Sequence, residues 1–161
     1  METLEKIFSF LDLCKVPYTH TVHSAAFTAL EVAHVEHIPE HMVAKTVVFV
    51  GPDGYGMAVL PADFVIDLED LRACLGVSHL RLATEFELQE LFPACEVGAM
   101  PPLGNSTLYE MPVYVDSSLG GQEEIAFNAG THSDVLRMKY ADWESLVNPK
   151  KLHFAHMAAA H

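Results

Sequence analysis

Basic residues are scarce in this chain of 161 residues: nine Lys and Arg stand against 22 Asp and Glu, a formal net charge of −13. That balance excludes a general nucleic-acid coat, which needs many cationic contacts to phosphate. It leaves room for a local site that holds a few phosphates, and in such a background a single well-placed lysine stands out. The three cysteines, Cys14, Cys74 and Cys95, are far apart and include no Cys-x-x-Cys pair. Neither a disulfide framework nor a cysteine-rich zinc site is indicated. No apolar run approaches the ~18 residues of a membrane span. The start, Met1-Glu2-Thr3-Leu4-Glu5, lacks the basic opening of a signal peptide, so the expected location is cytoplasmic. Gly-x-Ser-x-Gly, a P-loop and His-Glu-x-x-His are all missing.

Half of the residues are hydrophobic and only 19% are charged, the composition of a globular chain. The length suits one domain, 1–161, with a core over about 3–148 and a His-rich tail over 149–161. Leu4, Ile7, Phe8, Leu11 and Cys14 predict a helix over 3–14. Tyr18–His23 alternates as a short strand. Thr28 and Glu31 form a capping-box pattern that opens a helix ending before Pro39. Residues 43–50 and 57–60 predict a hairpin across the turn Gly51–Gly56. Helices follow over Asp67–Gly76 and Thr84–Phe92, the second with a capping box of Thr84 and Glu87. Pro93–Asn105 predicts an ordered loop. Strands are expected at 111–116, 123–130 and 134–140, and a closing helix at 141–147. The tail "KLHFAHMAAAH" predicts a loosely packed terminus that could collect metal adventitiously. Strands and helices mix without strict alternation, so the fold class is α/β or α+β around one mixed sheet.

Four constellations could carry chemistry. Lys45 sits inside "HMVAKTVVFV", a strand apolar enough to be covered on both faces. A buried, unpaired lysine is costly. It must reach an edge, pair with a carboxylate, or hold an anion, for which a compact ammonium is suited. In "EVGAMPPLG" (Glu96–Gly104), Gly98 allows close backbone approach, and Pro101 and Pro102 stiffen the loop. "FNAGTHSD" (Phe127–Asp134) gathers polar groups where a strand meets a loop, a common setting for sites. Its His132 could move a proton near neutral pH. Among ten histidines, His20 with His23, and His34, His37 and His41, have spacings compatible with a shared metal, although Pro39 interrupts the second set. Each of these also has an ordinary structural reading.

Together, the lysine-bearing strand, the Glu-Val-Gly-x-x-Pro-Pro-x-Gly loop, the Asn-Ala-Gly-x-His-x-Asp strand end (Asn128–Asp134) and the upstream "HSAAFTALEVA" (His23–Ala33) resemble one family. It is the YbaK/prolyl-tRNA-synthetase-associated (ProXp-type) family of trans-editing aminoacyl-tRNA deacylases. The resemblance implies a single-domain YbaK-like fold, a curved mixed sheet flanked by helices with a central cleft. It implies hydrolysis of the ester joining a wrong amino acid to the terminal adenosine of tRNA, with no cofactor and no metal. Lys45 corresponds to the family's lysine, against phosphate or ribose. Gly98 through Pro101 and Pro102 frames the amino acid and its carbonyl. His132 matches a frequent family histidine. Phe27, Thr28, Asn128, Gly130 and Thr131 fall on the substrate-binding segments, Phe27 as a wall and Thr131 as a polar contact, which points to Ser, Thr or Ala on the tRNA. The implied partner is the acceptor end of mischarged tRNA, with neither membrane nor DNA; the −13 charge means that either contact is limited to the terminal nucleotides plus Lys45, or a synthetase or another tRNA-bound protein delivers the substrate. Two alternatives stay open: a metal-dependent hydrolase using the histidine cluster, and a non-catalytic module that grips the adenosine end.

Overall fold

The computed structural model describes residues 2–104 and 109–158. Asn105, at the end of the expected loop, and residues 159–161 of the tail lie outside them. Helix α1 (Glu2–Leu13) buries Ile7 and Leu11, one helical turn apart, against the core. Strand β1 is Thr19–Val22. Helix α2 (Ala29–Glu36) starts at Thr28, whose hydroxyl accepts the Glu31 N–H at 3.1 Å. It ends at His37, which takes the left-handed conformation (φ 56°).

The hairpin of β2 (Ala44–Gly51) and β3 (Gly54–Pro61) closes over Pro52 and Asp53, with Gly51 paired to Gly54. Gly54 has φ of 108°, a conformation only glycine adopts without strain. Then come β4 (Phe64–Ile66), α3 (Leu68–Leu75), β5 (Arg81–Leu82) and α4 (Glu85–Leu91), the last opened by the full Thr84–Glu87 capping box. The chain finishes with β6 (Val113–Asp116), β7 (Glu124–Asn128), β8 (Asp134–Lys139), α5 (Tyr140–Val147), β9 (Lys150–Leu152) and β10 (Ala155–Met157).

Five strands form one sheet in the order β5-β2-β3-β6-β9, antiparallel around β2 and parallel from β3 to β9. Three more form β1-β8-β7, antiparallel throughout. A parallel bridge between Val43 and Ala126 joins the two sheets just ahead of Lys45. The main core lies between them and includes Met57, Leu103, Phe127 and Trp143, all essentially without exposed surface. Each such side chain contributes roughly 1.5–3 kcal/mol on burial. The Trp143 indole N–H is satisfied by the Pro102 carbonyl at 2.8 Å.

The C-terminal segment is better ordered than its composition predicts. Residues 150–152 add β9 beside β6, and 155–157 pair with β4. Phe154 is fully buried, and the buried Asp116 carboxylate accepts the N–H groups of Phe154 (2.7 Å) and Ala155 (2.9 Å). Desolvating two backbone donors requires such an acceptor, and an aspartate distant in sequence gives no local sign of it. The short strands β4 and β5 are likewise visible only in the fold.

Candidate functional site

Strand β2 pairs with β3 along its length, Lys45 opposite Leu60, while β5 covers β2 only at Phe49 and Val50, so the side of β2 away from β3 is not covered by β5 at Lys45. Its half-buried side chain lines a cavity of about 190 Å³, together with Thr46 and Val47 of the same strand, Ala29 at the start of α2, Gly98 and Asn128. Drug-sized pockets occupy ~300–1,000 Å³, so this volume suits a small acyl group rather than a whole nucleotide. Lys45 forms no ion pair among the described residues. Burial holds its pKa below the usual lysine value, and the Asp63 carboxylate opposes that effect at longer range. Asp63 is itself held by His41, whose Nδ1 lies 3.1 Å from it and whose Nε2 lies 2.7 Å from the Ser118 carbonyl.

Gly98 stands opposite with φ of 88°, and its N–H has no hydrogen-bond partner among the described residues. The loop that carries it is clamped to the turn after β7. The Glu96 N–H donates to the Gly130 carbonyl, and the Gly130 N–H donates to the Ala99 carbonyl, both at 2.8 Å. Gly130 has φ of 91°, and a Cβ there would come within 2.8 Å of the Thr3 methyl, so the clamp requires glycine.

His132 completes the clamp. Its backbone N–H donates to the Glu96 carboxylate at 2.7 Å, and its Nε2–H donates to the Val97 carbonyl at 2.9 Å. Nδ1 is buried without a partner among the described residues. The imidazole packs under Phe27, with ring centroids 5.0 Å apart. A Cβ on Gly98 would lie 3.6 Å from the imidazole Cε1.

The remaining expected residues divide. Asn128 reaches the cavity while its amide donates to the Thr131 carbonyl at 3.2 Å. Phe27 is 67% exposed beside His132, and Thr28 caps the helix whose first residue lines the cavity. Pro101 and Pro102 are buried, and through Pro102 they fasten the loop to Trp143. Thr131, expected as a polar substrate contact, lies in the turn after β7. It does not line the cavity, its hydroxyl donates to Asp134 at 2.6 Å, and the same oxygen accepts the N–H groups of Ser133 and Asp134. All its hydrogen-bonding capacity organises the turn.

Among the described residues, His20, His23, His34, His37 and His41 belong to no group of three metal ligands. His20 pairs with Asp134 (2.7 Å), His23 with Glu36, and His41 with Asp63. Glu36 is a residue that sequence reasoning missed. It is buried, and it bonds Thr21 (2.5 Å), His23 and Arg137 (2.9 Å), fixing α2 to β1 and β8. Burial pushes its pKa up, but hydrogen bonds from those three partners outweigh it and hold the carboxyl below the ordinary glutamate range. Glu96 lay inside a quoted motif with no role assigned to it; Asp63 had no local signal. A separate cavity of about 210 Å³ beneath the β2–β3 turn contains none of these site residues.

Residues 23–146 match the aminoacyl-tRNA editing domain family. The chain belongs to that family. It is 28% identical over 151 residues to a proline–tRNA ligase of Thermosipho africanus (strain TCF52B), covering 91% of this chain and 24% of that protein. It is 32% identical over 109 residues to the multifunctional Ser/Thr-tRNA deacylase ProXp-y of Escherichia coli (strain K12), covering 67% of this chain and 64% of that protein. The editing domain thus spans about a quarter of one relative and under two thirds of the other. Its fold matches the crystal structure of a candidate trans-editing enzyme for prolyl tRNA synthetase, with TM-score 0.82 at 23% identity, covering 97% of this chain and 98% of that one. A crystal structure of a hypothetical protein matches with TM-score 0.83 at 17% identity, covering 94% and 99%. Among the described residues, no helix is long and apolar enough to cross a membrane.

Proposed function

We propose that this editing domain acts as a trans-editing deacylase, hydrolysing the ester that joins a small amino acid, Ser, Thr or Ala, to the terminal adenosine of a mischarged tRNA. The observation that carries the reading is the convergence of Lys45, Gly98 and Asn128 on one small cavity. The Lys45 ammonium faces a phosphate or ribose oxygen of the adenosine. The unpartnered Gly98 N–H takes the ester carbonyl and the oxyanion formed when water adds to it. Collapse of that adduct breaks the bond to the ribose oxygen, which leaves as a hydroxyl with a proton supplied by the attacking water. The substrate's own 2′-hydroxyl assists, consistent with a site that offers no nucleophile–base pair. His132 acts mainly by holding the Gly98 loop.

Editing is chemically necessary because a synthetase pocket separates small side chains by only ~1–3 kcal/mol. With a net charge of −13, free tRNA binds weakly, so either contact is confined to the terminal nucleotides and Lys45, or a synthetase or another tRNA-bound protein delivers the substrate in the cytoplasm. The decisive experiment is a panel of mischarged tRNAs assayed for amino-acid release with and without chelator. Release of Ser, Thr or Ala that persists in chelator supports the reading. Binding of charged tRNA without release makes the protein a binding module, and release abolished by chelator makes it a metal-dependent hydrolase.

A further inference from the structure

Away from the cavity, Asp67, Asp70 and His156 bring one ligand atom each to within 4.8 Å of one another, and no other such group of three occurs among the described residues. The His156 Nε2 lies 3.1 Å from Asp67 Oδ2 and 3.2 Å from Asp70 Oδ2, nearly equidistant from both carboxylates. The His153 ring stands 6.3 Å from the His156 ring, held only by a 3.4 Å contact to the Ser117 hydroxyl.

The backbone has already set this geometry. Asp67 caps α3, its Oδ1 accepting the Asp70 N–H at 3.0 Å, which leaves Oδ2 to turn outward. The Asp67 N–H donates to the Phe154 carbonyl at 2.7 Å, tying the start of α3 to the tail. Asp116 fixes Phe154 and Ala155, the two residues between the histidines. His156 lies opposite Val65 in the β4–β10 ribbon. Ligands from two separate segments are therefore held in register by buried hydrogen bonds. As an ion pair, an exposed His between two Asp is worth little, and the α3 cap accounts for Asp67 Oδ1 but not for Oδ2, the Asp70 carboxylate or the His156 ring.

We propose that Asp67, Asp70 and His156 form a binding site for a divalent transition-metal ion of the zinc class. Imidazole and carboxylate are its ordinary ligands, and three protein donors leave the fourth position to water. The ion clips the C-terminal ribbon to α3. This site is separate from the cavity at Lys45 and independent of the activity proposed there.

The test uses the full chain, stripped with chelator and titrated with zinc alone, following the melting temperature and binding stoichiometry. Saturation near 100-fold over the dissociation constant should raise the melting temperature by ~5–10 °C. Asp67→Asn keeps a good helix cap while removing the carboxylate; combined with His156→Gln it should abolish the shift and remove one equivalent of bound zinc. Asp70→Asn, which leaves the cap untouched, should weaken binding at least ~10-fold. No shift in the unaltered chain overturns the proposal, as does an equal shift and stoichiometry in the variants, because that zinc would sit on other histidines. Cobalt substituted for zinc adds a readout free of stability: its visible absorption should mark a low-coordinate site in the unaltered chain and disappear in the double variant.

Discussion

Glu96 and His132 hold each other across the two loops that frame the cavity: the His132 N–H meets the Glu96 carboxylate at 2.7 Å, and the imidazole returns to the neighbouring Val97 carbonyl. In the proposed mechanism this clamp sets the position of the Gly98 N–H. A donor placed even slightly wrong loses most of its value toward a developing oxyanion. His132→Ala should slow deacylation ~10- to 100-fold, below the ~10²–10⁴ of a principal acid–base group. Glu96→Gln keeps an acceptor for the His132 N–H and should retain most activity, whereas Glu96→Ala should approach the His132→Ala value. Single-turnover deacylation by the three variants checks this, and complete loss in a folded His132→Ala would assign the imidazole a larger part.

Buried carboxylates organise the scaffold as well. Glu36 joins α2, whose first residue lines the cavity, to β1 and β8. Glu36→Gln leaves the partly exposed Arg137 guanidinium without its counter-charge, and breaking a buried pair costs up to ~3–5 kcal/mol. Because the folded-state pKa is depressed from the ordinary 4.5, the carboxylate's contribution is fully present above that value. It fades as pH falls below 4.5 and through the depressed folded value. Urea unfolding at pH 7 should therefore separate the two proteins widely, and the gap should narrow steadily below about pH 4.5. A constant gap would place the stabilisation in packing rather than charge.

Most elements were legible in the chain itself because their signals are local: Thr28 with Glu31, Thr84 with Glu87, Gly76 after α3, and the turn between β2 and β3. Lys45 was legible for a different reason, as a charge the apolar strand could not explain. Groups whose partners are remote in sequence were not legible. Glu36 meets Arg137 and Asp116 meets Phe154 only after the sheets assemble. Thr131 shows a further limit of local signals: in a loop of polar residues, a hydroxyl bonded within the turn looks the same as one offered to a substrate.

That difference changes the expectation for selectivity. Ala29, Val47 and Met100 line the cavity, and Thr131 does not. Thr131→Val should lower stability by ~1–3 kcal/mol through the unpaired Asp134 and backbone donors, and leave the ranking of Ser-, Thr- and Ala-tRNA unchanged. Ala29→Val narrows the cavity and should disfavour Thr relative to Ala by ~1–3 kcal/mol in kcat/KM. Competition assays on the three charged tRNAs test both. A reordered ranking in Thr131→Val would return that residue to the pocket wall.

Lys45 gives the sharpest separation between a structural and a functional reading. It is half-buried in β2, without an ion pair among the described residues, and burial works against its charge. A lysine kept for stability would be expected to have a partner. Lys45→Ala should therefore leave the fold as stable as before or slightly more so, because desolvating the charge is unfavourable. The same change should reduce deacylation by ~10²–10³-fold, the scale set by removing one fixed charge-stabilising group. Lys45→Arg should recover little, since a planar guanidinium is longer and differently shaped than an ammonium. Melting temperature and single-turnover rate measured on one preparation decide the matter: a lower melting temperature with normal turnover per folded molecule would make Lys45 a structural residue and remove the cation from the proposed mechanism.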